Sequence, residues 1–420
     1  MKKMRFTFLI ALTLSVFMSM TVQSQELFPS SIPYPEYNVP GDTVTVTIAD
    51  GRTVLENAIA NGGTVLLEAG TYDLSGWTAQ PLSDIKIIGE GKNKTILRAG
   101  FEMTDLINSS DNVFGAVSGR VVFEGLTFDR WRCVLLGAGG RFNDENRTCD
   151  DDALEKLANS LPKYPNTFND GIACQNVEFI NCGRALSFED VERNMENQIN
   201  NCYWFNCDFI NLWHAILVKS RGTCNNWHFY NCLFQDCILP DSTGDYKWDQ
   251  ALSGVRLTHD PNVFSAGTSS NVRFEHCTFN GISSQMAPVP SISSIEGRYN
   301  YCIRLGNTDE TCWLRHCKFR NIGWDKDGNR QCTMPETSGI IYPKGQMKVE
   351  YCDIDRVCVG DDGIFNNKGA YVPQKYDAGY TGAYTYQVRN VYIRDVEQIP
   401  ASVRTDGGGT FTPKGIFFTT

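Results

Sequence analysis

The chain has 420 residues, a net charge of −10 and 20% charged side chains. That acidic balance argues against a nucleic-acid partner, and an anionic ligand would need a local basic patch. With 37 glycines and 12% aromatic residues, the composition suits a β-rich solenoid.

Taken in chain order, residues 1–24 read as a secretory signal. Met1-Lys-Lys-Met-Arg5 is basic, an apolar run extends from Phe6 to Val22, and the small Ser24 offers a cut site. The run is short for a membrane anchor, and the first cysteine is Cys133, which argues against a lipid-anchored start. The expectation is an exported monomer, secreted or periplasmic, with no membrane span. Residues 25–50 form an extended lead-in, rich in proline and then alternating over Thr43-Val-Thr-Val-Thr-Ile48. A short amphipathic helix follows, with Val54, Leu55, Ala58 and Ile59 on one face and Gly62-Gly63 ending it. Strands are expected over 64–72, 85–91 and 95–98. The helix is placed to cap the first coil of a solenoid, whose open apolar end would otherwise invite edge pairing.

From residue 121 a phrase recurs: a small apolar residue, any residue, then Phe or Ile. It reads Leu126-Thr-Phe128, Val177-Glu-Phe179, Cys207-Asp-Phe209, Cys232-Leu-Phe234, Cys277-Thr-Phe279, Cys317-Lys-Phe319, Cys352-Asp-Ile354 and Val391-Tyr-Ile393. Asn181, Asn211, Asp236, Asn321 and Asp395 fall two places after it. Repetition at intervals of about 25 to 50 residues marks a stacked, one-dimensional architecture. Its first position accepts Leu, Val and Cys, so it reads as a core column in which free Cys acts as a small hydrophobe. Most of the 16 cysteines are therefore expected as buried thiols, with disulfides left open elsewhere; Cys232/Cys237 and Cys312/Cys317 fit no zinc spacing.

Residues 51–420 then form a single all-β domain with its N-terminal capping helix. Insertions are expected near 137–170 (with the helical-looking 151–159), 238–250, 281–299, 324–337 and 366–386. The helix followed by "GGTVLLEAGTYDL", the segment "IKIIGEGKNKTILR" and the Asn/Asp-bearing phrases together resemble the right-handed parallel β-helix of the pectate-lyase-like superfamily. The resemblance covers about residues 45–405 and implies a carbohydrate-active protein, foremost a lyase acting on acidic polysaccharide by β-elimination.

Placing the phrases in register also stacks a second set of strands: 186–190, 216–220, 255–259, 303–307 and 340–344. Alternation turns Leu186, Ile216, Val255 and Ile303 inward. It sets Ser187, Leu217, Arg256, Arg304 and Ile341 in one outer column, and Glu189, Lys219, Thr258, Gly306 and Pro343 in the next. Arg256 and Arg304 become neighbours with Lys219 close by, a cationic patch on an acidic protein that would attract anions and lower the Lys219 pKa. The alternative is that Glu189 neutralises Lys219 and loop carboxylates pair the arginines. For β-elimination, Arg304 or a bound Ca²⁺ suits the uronate carboxylate, Lys219 the proton, and Arg256, His259 or Tyr342 the departing oxygen. The strands around Lys219 and Arg256 resemble the Lys and Arg strands of alginate and chondroitin lyases, although the insertion between them is long. Calcium would draw on Glu189 and Asp190, or on Asp241, Asp245 and Asp249; Trp213, Tyr246, Trp248 and Tyr342 offer sugar-stacking faces. Two other classes stay open: a non-catalytic glycan-binding or adhesive module, and a polygalacturonase-type hydrolase. For the hydrolase, the Asp motifs Asn169-Asp-Gly171 and Gly360-Asp-Asp-Gly363 lie too many coils apart to act as a pair.

Overall fold

A computed structural model describes residues 37–103, 112–139, 167–168, 171–190, 198–219, 223–239, 253–257, 268–284, 300–324, 338–359 and 385–398. The signal, most of the lead-in, the bulk of the insertions and both Asp motifs lie outside the described residues, as do His259, Trp248 and the Asp241–Asp249 cluster. Inside strands, no side-chain description extends to Glu189, Asp190, Lys219, Arg256 or Tyr342.

The described strands pair in parallel, each with the strand one coil further along, as in a parallel β-helix. One coil shows the plan. The strand Gln198–Phe205 bends at Asn201 and so serves a first and a second face; Asp208–Ile210 forms a third and His214–Lys219 a fourth. Single residues in the left-handed region turn the corners. Asn201 (φ 62), Asn226 (φ 59) and Asn271 (φ 51) separate the first and second faces; Asn206 (φ 51), Asn231 (φ 50), His276 (φ 56), His316 (φ 53) and Tyr351 (φ 52) separate the second and third. The Asn/Asp residues two places after each phrase turn the next corner, with φ 54 at Asn181, 55 at Asn211, 51 at Asp236 and 51 at Asn321. A short amide side chain tolerates this conformation and bonds locally, and here it also bonds the coil below. Asn211 Nδ2 donates to Asn181 Oδ1 at 2.7 Å, and Asn181 Nδ2 to Asp129 Oδ1 at 3.1 Å. Glycine takes this corner at Gly281 (φ 69), where an added Cβ would lie 2.6 Å from the end of the Asp236 side chain.

The repeated phrase is an unbroken register column. Phe128 pairs with Phe179, Phe209, Phe234, Phe279, Phe319, Ile354 and Ile393 in turn, and it continues upward to Leu97 and Tyr72. The rings stack face to face, with centroids 4.7 Å apart for Phe209/Phe234 and 4.5 Å for Phe234/Phe279. Beside them the cysteines of the phrase are fully or almost fully buried free thiols. Four of them donate to a carbonyl of an earlier coil: Cys207 Sγ to Cys174 O (3.4 Å), Cys232 Sγ to Trp204 O (3.2 Å), Cys277 Sγ to Phe229 O (3.4 Å) and Cys317 Sγ to Phe274 O (3.3 Å). Burial pushes other thiols, such as Cys237 and Cys312, up to about 12, so they behave as hydrophobes.

The helix runs over Gly51–Asn61 and buries Leu55, Ala58 and Ile59 in the same core cluster as Trp77 and Leu82. Val54, expected on that face, is 39% exposed; the buried stripe is narrower than the sequence suggested. Among the described residues, no helix is long and apolar enough to cross a membrane.

Candidate functional site

The fourth face carries the predicted cations. Leu217 pairs with Arg256, Arg256 with Arg304, and Glu189 with Lys219. Arg256 and Arg304 are thus direct neighbours in adjacent coils, and Lys219 lies one coil back and two residues along. The last strand differs from expectation by one residue. Ile303 pairs with Ile341 and Arg304 with Tyr342, and the register shifts between Arg304 and Asn307. The residue standing beside Arg304 is therefore Tyr342 rather than Ile341, because the irregularity absorbs the difference between the two strands. This brings two predicted site residues together that the simple alternation kept apart.

The column is also less open than an outward-facing groove. Ser187 is fully buried, and Leu217 and Arg304 are each 1% exposed. Arg184 Nη1 donates to Ser187 Oγ at 3.0 Å, so part of this face is satisfied internally. Trp213, expected as a sugar platform, is packed: it is 7% exposed, with the Phe101 ring edge-on at 5.2 Å. A sugar finds no free indole face there. Glu189 and Asp190 end the strand Arg184–Asp190, with backbones paired to Ala138 and Gly139. Among the described residues, no group of three or more His, Cys, Asp or Glu forms a metal cluster.

A second row of chemistry was not expected. On the outer side of the second face, Tyr203, His228, Arg273, Trp313, Lys348 and Gln387 follow one another in register. Their neighbours Trp204, Phe229, Phe274, Leu314 and Val349 point inward and are fully buried. The Tyr203 ring meets His228 edge-on at 5.1 Å, and Tyr37 of the lead-in lies 6.1 Å from Tyr203. The Arg273 guanidinium sits 4.0 Å above the centre of Trp313, a cation–π contact that fixes its plane. His228 is 6% exposed, and its hydrogen-bonding neighbours are the side chain and backbone of Asn271. Burial and then the Arg273 charge push its pKa down to about 4, so the imidazole is neutral at physiological pH. Arg273 is half-buried, its Nε is buried without a partner, and burial lowers its pKa.

Lys86, Lys92, Arg98, Arg320 and Arg394 each contact a carboxylate, for example Lys92–Asp208 at 2.7 Å and Arg394–Asp355 at 2.8 Å. The row was legible in principle. Tyr203, His228, Arg273, Trp313 and Lys348 each stand four residues before the Cys of the repeated phrase. The same phrase that marks the fourth face when read forward marks the second when read backward.

The sequence matches no family model and no curated protein. Among solved structures, the catalytic domain of a GH87 alpha-1,3-glucanase aligns at 12% identity and TM-score 0.34 over 86% of this chain, which spans 60% of that domain. The Streptococcus pneumoniae surface protein and adhesin PfbA aligns at 10% identity and TM-score 0.35, covering 84% of this chain and 98% of its own. The Azotobacter vinelandii mannuronan C-5 epimerase AlgE4 A-module aligns at 10% identity and TM-score 0.28, with 85% and 96% covered. The assignment as a parallel β-helix rests on the strand pairing described above.

Proposed function

We propose that this chain is a carbohydrate-active protein that cleaves a uronate-containing polysaccharide by β-elimination on its fourth face. The observation that carries this reading is the direct register of Arg256 with Arg304, and of Arg304 with Tyr342, beside the strand that bears Lys219. A patch of cations on a protein of net charge −10 has a natural partner in a carboxylate. In the proposed reaction, Arg256 faces the uronate carboxylate while the buried Arg304 keeps the local potential positive beneath it. The carboxylate, once neutralised, acidifies the adjacent C5–H. Lys219, with its charge disfavoured by the arginines, takes that proton. The electron pair forms the C4–C5 double bond, the C4–O bond breaks, and the departing oxygen receives a proton from Tyr342 or His259. Calcium at Glu189 and Asp190 is part of this proposal only as an additional charge partner for the substrate, and export through residues 1–24 places the reaction outside the cytoplasm.

A second reading is a glycan-binding module without catalysis, which the 1% exposure of Arg304 favours. One experiment separates the two. Purified protein is incubated with pectate, alginate and chondroitin, with and without calcium, while the absorbance of the unsaturated uronate is followed. A growing signal that Lys219→Ala abolishes supports the lyase. Reducing ends without that absorbance indicate hydrolysis, and binding with neither signal leaves the binding module.

A further inference from the structure

We propose that residues 37–42 of the lead-in are a latch, an extended strap laid along the solenoid axis that ties the first coil to the sixth and keeps the capped end closed. The two ends of the strap are fixed in coils far apart. At one end Asp42 O accepts from Thr64 N at 2.9 Å, and a Cβ on Gly41 would lie 3.0 Å from Gly63 Cα. At the other, the Tyr37 ring lies 6.1 Å from Tyr203 and the two hydroxyls share a hydrogen bond. Between these ends the outer column of the second face runs Thr43, Thr64, Lys86, Val122, Ala173 and Tyr203 in unbroken register. Five strand spacings come to about 24 Å. The six residue steps from Thr43 back to Tyr37 reach about 20 Å at full stretch, and the Tyr37 side chain spans the remainder. The segment has no slack, so it runs across the strands rather than beside them.

The solenoid side of this path is built to receive it. Val121, Phe123, Ile172 and Cys174 lie in the core cluster, so Val122 and Ala173 between them point outward, yet both are fully buried. An outer position of a sheet is apolar and dry where other chain covers it. Arg120, two residues before Val122, donates from Nη1 to Asn38 O at 2.9 Å and sets its guanidinium 5.4 Å from the centre of the Tyr37 ring. Two residues before Ala173 the corner is Gly171 (φ 88), where the next coils carry Asn201 and Asn226. A Cβ at Gly171 would lie 2.8 Å from the Tyr37 hydroxyl and 2.7 Å from Asn201 O. The corner that the strap crosses is the one without a side chain.

In a solenoid each coil is held by its neighbours, so the end coils open first and opening spreads inward. A strap from the first coil to the sixth changes that order. The end coils then separate only if Tyr37 parts from Tyr203 and uncovers Val122 and Ala173. The helix covers the capped end, and the strap holds it shut.

Hydrogen exchange read by mass spectrometry on the full-length protein tests the latch. In Tyr37→Ala, which loses one hydrogen bond and one ring contact, amides of Gly63–Leu67 and Ile85–Ile88 are expected to exchange about tenfold faster. Those of Ser338–Glu350 should keep their native rates. Tyr37→Phe keeps the ring and loses the hydroxyl; it should give a smaller acceleration in the same strands, and it replaces Tyr37→Ala if that chain does not fold. A second measurement treats Ala173→Cys with an uncharged maleimide, against the background of the buried native thiols. Labelling should be slow with Tyr37 in place and about tenfold faster with Tyr37→Ala. Native exchange at the capped end of a folded Tyr37 variant, or acceleration spread evenly along the solenoid, would overturn the proposal. So would equal labelling of Ala173→Cys in both backgrounds. Neither measurement uses activity or a ligand, so the latch and the lyase reading fail separately.

Discussion

His228 shows how much a single position can be shaped by what surrounds it. Its ring is enclosed by the edge contact with Tyr203, by Asn271 at the corner and by the Arg273 charge, and its pKa is pushed down to about 4. An exposed histidine titrates near 6.5. Between those values the unfolded chain binds a proton that the folded chain refuses, so stability rises with pH across that window and falls as pH drops through it. The loss is bounded by the shift, on the order of 3 kcal/mol. Urea midpoints measured from pH 7 to pH 4 are expected to fall more steeply for the native sequence than for His228→Gln. Parallel curves would show that the imidazole is not held neutral.

At the scale of the coil, the corners set the geometry and the faces follow. An alanine forced to a positive φ costs about 1–2 kcal/mol, and at Asn211 it would also remove the amide donated to Asn181 Oδ1 at 2.7 Å. Asn211→Ala is therefore expected to lose about 2–3 kcal/mol. Asn211→Gly keeps the backbone freedom and forfeits only the ladder bond, so it should lose about half as much. Denaturant unfolding of the two variants measures the split, and equal losses would mean that the ladder bond alone matters. The corner residues also explain what the sequence made legible. The Cys-x-Phe column was readable because inward positions tolerate only apolar groups, and the Asn or Asp two places later because few residues adopt that turn. The one-residue slip at Tyr342 was not readable, since an irregularity between Arg304 and Asn307 leaves no mark in a run such as Ile340-Ile-Tyr342. The burial of Arg304 and Trp213 was hidden for another reason: strand alternation distinguishes the two sides of a sheet but not whether other chain covers the outer side. The second-face row, by contrast, is legible, since each of Tyr203, His228, Arg273, Trp313 and Lys348 stands four residues before the Cys of the phrase.

Over the whole molecule, a stack in which each coil pairs with its neighbours makes its end strands the exposed liability. At the N-terminal end, the strand Thr43–Val46 pairs with Gly63–Leu67, and the helix Gly51–Asn61 lays Leu55 and Ile59 into the core cluster. Leu55 is fully buried, yet it lies far along the chain from Arg256 and Arg273. Leu55→Asp would place an unpaired charge in that seam, which folding can accommodate only by lifting the helix away. The uncovered apolar end would then offer itself to the end of a second molecule. Size-exclusion chromatography with light scattering should show concentration-dependent association of Leu55→Asp, whereas Asn211→Ala, destabilised within the stack, should elute at the native position. Uronate binding by the associated Leu55→Asp species should persist, because the Arg256–Arg304 pair of the proposed site belongs to coils remote from the cap. If Leu55→Asp stays at native size with its secondary structure intact, the helix is an ornament on the first coil. Association with binding retained would identify it as the element that keeps the solenoid from growing end to end.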